Sequence, residues 1–310
     1  MNDNERMLIR FVCDGDISKA QTQARIILNG ITSKCDTQFK YNNLRKLDNR
    51  PANLVQLPMN VESLLVAEDT TFFPESRFLL RPEEEKIVTQ MLAAYTVAEQ
   101  LNILGIQYLP AAILYGPSGT GKTMLARYIA HRAGLPFVYV RFSMLIDSYM
   151  GKTSVNIGKI FDYARQSSCV LCLDEIDAIG MARSGGSGGT GGELGRVVIS
   201  IMQELDQCPN RVMVIGTTNR YDRLDPALIR RFPHRHEVKP LSQSEATEAA
   251  QRFFAHTELD LGLDIKAWCA TQFHTDTPVS DVITACTDQV VRYLKANPKA
   301  IDIGEAAAGA

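Results

Sequence analysis

Gly116-Pro-Ser-Gly-Thr-Gly-Lys-Thr123 follows the apolar run Ala111 to Tyr115 and opens a helical stretch from Lys122 toward Arg132. The spacing G-x-x-x-x-G-K-[ST], set between a strand and a helix, is that of a loop that wraps phosphate groups. Glycines 116, 119 and 121 free the main chain to turn its N–H groups inward, and Ser118 contributes mainly backbone. Lys122 supplies positive charge to terminal phosphates, and the Thr123 hydroxyl is placed for a divalent cation. Pro117 and Thr120 complete the eight-residue binding loop.

Two further strand ends carry polar groups suited to the same site. Val170-Leu-Cys-Leu-Asp-Glu175 is an apolar run ending in two carboxylates. Asp174 is assigned to Mg²⁺ through its water shell and Glu175 to orienting and deprotonating an attacking water as general base. Asp177 reads as structural. Asn219, after the run Arg211 to Thr218, has an amide suited to holding that water against a terminal phosphate. The ligands expected are ATP and Mg²⁺.

Working outward, apolar runs alternate with helical patterns between about residues 81 and 242, which predicts a parallel sheet covered by helices on both faces. The expected division is a helical extension over 1–50, a linker over 51–75, a large α/β domain over 76–241, a small helical lid over 242–300 and a frayed tail over 301–310. In the extension, Met7, Leu8, Phe11 and Val12 give one short apolar face; Asp16 is a candidate cap and Gly30 a candidate stop for the next helix. Docking of a substrate or adaptor and simple packing are both open for these helices. Ser184 to Gly192 is a glycine-rich loop by composition.

Composition narrows the classes. Of 310 residues 45% are hydrophobic, enough for a sizeable core, yet no run approaches the ~20 apolar residues of a membrane span. The N-terminus lacks the order of a secretory signal, so a cytoplasmic location is expected. A formal net charge of -2 counts against non-specific nucleic-acid binding. Seven scattered cysteines read as reduced thiols, including the Cys169 and Cys172 pair within a buried run. His234-Arg-His236 reads as strand alternation rather than a metal site, and no His-Glu-x-x-His protease motif occurs.

The phosphate loop, Leu173-Asp-Glu-Ile-Asp177, Gly216-Thr-Thr-Asn219 and Leu224-Asp-Pro-Ala-Leu-Ile-Arg-Arg-Phe232 together resemble the AAA ATPases over roughly residues 75 to 300. The resemblance implies a P-loop NTPase large domain with a helical lid, nucleotide at a subunit boundary and a homo-oligomeric, usually hexameric, ring. It also marks Arg230 and Arg231 as fingers reaching the neighbouring site, and the adjacent pair is most similar to katanin-like and Vps4-like enzymes. Tyr149-Met150-Gly151, followed by Lys152, matches the family's pore loop that grips polypeptide. The implied activity is ATP hydrolysis that remodels, unfolds or disassembles a protein substrate, engaged directly or through an adaptor. A nucleic-acid-linked ATPase and a non-threading assembly switch are the alternatives. Pro278-Val-Ser-Asp281 departs from the family's Ser-Gly-Ala-Asp, and 257–278 looks short, so an unusual adenine-side lid is expected.

Overall fold

The computed structural model describes residues 3–13, 20, 23–24, 26–28, 57–71, 73–142, 153–180, 190–208, 212–257 and 259–297. The chain divides into two compact units, Met1–Val55 and Gln56–Ala310. In the first, α1 spans Asp3–Cys13, and the Gln23 side chain donates to Asn4 Oδ1 at 3.0 Å. Met7 and Val12 of the expected apolar face are exposed, while Leu8 and Phe11 are half-buried. Asp16 and Gly30 lie outside the described residues.

The second unit is built on six strands: β1 (Leu65–Glu68), β2 (Ala111–Tyr115), β3 (Phe137–Val140), β4 (Val170–Leu173), β5 (Met213–Thr218) and β6 (His234–Glu237). Their order is β1-β3-β4-β5-β2-β6, with β1 antiparallel to β3 and the other pairings parallel. The stretch expected to be a linker thus contains a strand. Its edge pairing extends to an Arg127–Glu68 ion pair that ties it to a helix at 2.7 Å.

Helices α2 (Pro82–Ile103), α3 (Lys122–Ala133), α4 (Thr153–Ser167) and α5 (Thr190–Asp206) cover the sheet. Successive strand residues point to opposite faces, so each strand feeds two cores. Ile113, Leu171 and Val214 pack with Ile157, Phe161 and Ile201 on one side. Leu114, Cys172 and Ile215 pack with Met91, Leu125 and Ile129 on the other. Burial on both faces explains why these strands read as unbroken apolar runs.

Beyond the sheet, α6 (Gln243–Thr257), α7 (Ile265–Gln272) and α8 (Val279–Ala296) form a helical lid around Phe253, Phe254, Phe273 and Val282. An isolated bridge, Leu241 to Thr277, closes its base. Among the described residues no helix is long and apolar enough to cross a membrane.

The cysteine pair and the histidine strand take ordinary structural places. Burial pushes the Cys169 thiol up to about 12 and the Cys172 thiol well above its usual range. His234 shares a 3.0 Å hydrogen bond with the Tyr108 hydroxyl, and burial lowers both His234 and His236.

Phe161, 1% exposed and central to one core, gives a direct test of this packing. Phe161→Ala is expected to cost about 3–5 kcal/mol in urea unfolding, whereas Val155→Ala, on the exposed side of the same helix, stays within about 0.5 kcal/mol.

Candidate functional site

Pairing of β5 between β2 and β4 brings three strand ends to one edge of the sheet. Tyr115 lies opposite Thr218, and Leu173 opposite Gly216. The phosphate loop, the acidic pair and Asn219 leave from these ends, so chain order is converted into one cleft of about 480 Å³. Such a crevice beyond the carboxyl ends of parallel strands is the general ligand position of open α/β sheets.

The loop is built from backbone conformations that side chains resist. Gly116, Gly119 and Gly121 have φ of 143°, 76° and 98°. A Cβ on Gly116 would sit 2.3 Å from the Val238 carbonyl oxygen, and one on Gly119 would sit 2.3 Å from Ser280 Oγ. The first neighbour is main chain and cannot yield cheaply. Thr120, buried, donates its hydroxyl to the Pro117 carbonyl at 3.0 Å and so pins the curl from within.

Lys122 opens α3 with an ammonium that donates to the Gly116 and Pro117 carbonyls at 3.0 and 2.7 Å. Burial lowers its pKa, and Asp174, Asp177 and Glu175 pull the other way. The next residue, Thr123, donates to Asp174 Oδ1 at 3.0 Å. A hydroxyl and a carboxylate in contact beside a buried ammonium are the hard oxygen donors that Mg²⁺ and phosphate require. The residues therefore fit both ligands: the loop amides and Lys122 for phosphates, Thr123 and Asp174 for the cation.

Glu175 is exposed and has φ of 53°, a left-handed backbone unusual for a non-glycine residue. Asn219 lines the same cleft. Asp177 accepts from the Thr218 hydroxyl at 2.8 Å, the structural bond expected of it. Residues to which the sequence reading gave no role also line the cleft: Thr217 from β5, and Val279, Ser280 and Ile283 from the lid. Ser280 donates its amide to the Gly119 carbonyl at 3.0 Å, so the departing segment Pro278 to Asp281 is where lid and loop touch. A second, largely apolar pocket of about 320 Å³ shares Gly121, Met124, Val279 and Ile283 with the first and adds Phe78 and Leu241.

The two arginines are separated from this cleft and from each other in environment. Arg231 makes a bidentate pair with Asp206 of α5, at 2.8 and 2.7 Å, and donates to the Ala227 carbonyl. Arg230 is exposed and has no side-chain hydrogen bond among the described residues. Tyr149, Met150 and Gly151 lie outside the described residues.

Comparison with known proteins agrees with this geometry. Residues 112–240 match the model of the family described as ATPase family associated with various cellular activities (AAA). The chain carries an AAA domain.

Relatives share that domain. The chain is 35% identical over 209 residues to "Peroxisomal ATPase pex6" of Schizosaccharomyces pombe, covering 64% of this chain and 22% of that protein. It is 36% identical over 168 residues to "26S proteasome regulatory subunit 8 homolog" of Encephalitozoon cuniculi, covering 53% and 43%. It is 32% identical over 219 residues to "Proteasome-activating nucleotidase" of Methanoculleus marisnigri, covering 67% and 52%. The chain thus spans about half or less of the length of these relatives.

The phosphate loop of the AAA domain makes a comparison within one protein possible. Gly116 and Gly134 both have positive φ, but nothing lies within 4 Å of a Cβ at Gly134. Gly134→Ala should cost about 1–2 kcal/mol of left-handed strain. Gly116→Ala should lower the thermal midpoint well beyond that, because main chain must also move.

Proposed function

We propose that this chain binds ATP with Mg²⁺, hydrolyses it, and uses the cycle to remodel, unfold or disassemble a protein substrate. The observation that carries the reading is the Thr123–Asp174 contact near Lys122, beside a loop in which Gly116 and Gly119 have no space for a Cβ. Mg²⁺, when bound there, supplies charge stabilisation to the phosphate oxygens. The chain's own residues do the rest. Loop amides and Lys122 orient the phosphates, Asp174 holds the cation's water shell, Glu175 takes the proton of the attacking water, and Asn219 positions that water.

Protein remodelling is supported by the relatives, whose names place them at the peroxisome and the proteasome. In this reading the protein works as a cytosolic homo-oligomeric ring, with Tyr149, Met150 and Gly151 gripping polypeptide through an aromatic surface that tolerates any sequence. The likeness to katanin-like and Vps4-like enzymes rests on the adjacent arginines alone. Of that pair Arg230 is the better finger in trans, since Arg231 is already committed to Asp206 within its own chain. A guanidinium delivered by a neighbour neutralises charge on the transferred phosphoryl group. The division into extension, linker, large domain and lid is proposed to serve this cycle, with the extension docking substrate or adaptor.

Two measurements test the reading. Glu175→Gln should retain ATP while steady-state hydrolysis falls about 100- to 10,000-fold; undiminished turnover removes the general base, and a Lys122→Ala variant that still binds and turns over ATP removes the site. Arg230→Ala should lower hydrolysis about 1000-fold with nucleotide binding intact, and Arg231→Ala should mainly loosen the contact with Asp206. Hydrolysis stimulated by an unfolded polypeptide, and lost in Tyr149→Ala, supports threading; stimulation by DNA and indifference to Tyr149 supports a nucleic-acid-linked ATPase instead.

A further inference from the structure

Thr217 is 1% exposed and is the penultimate residue of β5, next to the cleft. A hydroxyl so buried needs partners, and its single proton fixes how they are arranged. The Glu175 main-chain N–H donates to Thr217 Oγ1 at 3.1 Å. An amide N–H only donates, so the hydroxyl proton goes to its other neighbour, Asp174 Oδ1. The same carboxylate oxygen receives the Thr123 hydroxyl. Two hydroxyl donors converge on Oδ1 and so restrain the Asp174 carboxylate.

The second partner matters as much. Glu175 holds a left-handed backbone, φ 53°, which costs a non-glycine residue about 1–2 kcal/mol unless its surroundings enforce it. Thr217 supplies two restraints there: its hydroxyl accepts from Glu175, and its carbonyl accepts from the Ile176 amide at 3.0 Å. One residue therefore grips Asp174, Glu175 and Ile176 in succession.

We propose that Thr217 is a positioning residue for hydrolysis, setting through one hydroxyl both the carboxylate that holds the cation and the carboxylate that activates water. The proposal rests on the ATPase reading. Outer-sphere partners of this kind are worth about 10- to 100-fold in metal affinity or activity. Valine has the shape of threonine without the hydroxyl, so it separates this role from simple burial.

The test compares wild type, Thr217→Val and Thr217→Ser in two assays: steady-state ATP hydrolysis, and thermal stabilisation by ATP as Mg²⁺ is titrated into an EDTA-buffered sample. T217V is expected to lower hydrolysis and raise the Mg²⁺ needed for half-maximal stabilisation, each by about 10- to 100-fold, while stabilisation by ATP in EDTA alone persists. T217S restores both readouts. Wild-type hydrolysis and Mg²⁺ requirement in T217V overturn the proposal, as does a T217S variant as impaired as T217V. Should T217V fail to fold, Thr217→Ala against Thr217→Ser carries the same comparison, and equal Mg²⁺ requirements in those two overturn it. A wild-type chain that neither binds nor hydrolyses ATP sinks the ATPase reading itself, whereas an active wild type beside an indifferent T217V sinks only the role of Thr217.

Discussion

The hydrogen-bonded insertion of β5 between β2 and β4 is the constraint on which the site depends. The parallel strands run the same way and end within two residues of one another, so Tyr115, Leu173 and Thr218 deliver three loops to one edge. Each loop carries what the others lack: amides and an ammonium, two carboxylates, a neutral amide. The two apolar cores exist to hold that register, and a one-residue slip of β5 would turn its side chains to the wrong face. It would also carry Thr217 away from Asp174.

The same burial decides what the sequence discloses. Strands β2 to β5 are covered on both faces, which leaves contiguous apolar runs, and all four are recognisable from residues alone. The lid helices are recognisable by periodicity, and α6 opens at Gln243, one residue after the start expected for the lid. By contrast β1 is four residues at the sheet edge, after a polar stretch with Pro51 and Pro58, and local pattern gives no sign that Leu65–Glu68 finds a partner in β3. Motif residues such as Lys122 and Asp174 are legible because their chemistry demands fixed spacing. Thr217 and Ser280 are not, because their roles come from contacts to Asp174, Glu175 and Gly119 across long stretches of chain.

Arg230 and Arg231 show how tertiary context resolves what adjacency leaves open. Consecutive residues at the end of the short helical turn Pro226–Ile229 point in different directions. One finds Asp206 and a carbonyl, and the other is left to solvent. A planar guanidinium held bidentately by a carboxylate is fixed in place, so Arg230 is the one of the two that can turn to a second molecule without breaking an existing pair.

Charge explains why such a molecule and a divalent cation belong to the proposed cycle. Lys122 is surrounded by Asp174, Asp177 and Glu175, whose fields raise its pKa against the effect of burial. That grouping has more negative than positive charge before any phosphate arrives. A triphosphate brought beside it meets repulsion that a single ammonium does not offset, and in a partly desolvated cleft the repulsion is felt more strongly than in water. Mg²⁺ held by Thr123 and Asp174 would supply two positive charges against that imbalance in the ground state. Charge that develops during transfer calls for a further cation, one that arrives with assembly rather than standing permanently in the cleft. In the proposed ring, an exposed Arg230 on the next subunit would meet that requirement and would make turnover conditional on assembly.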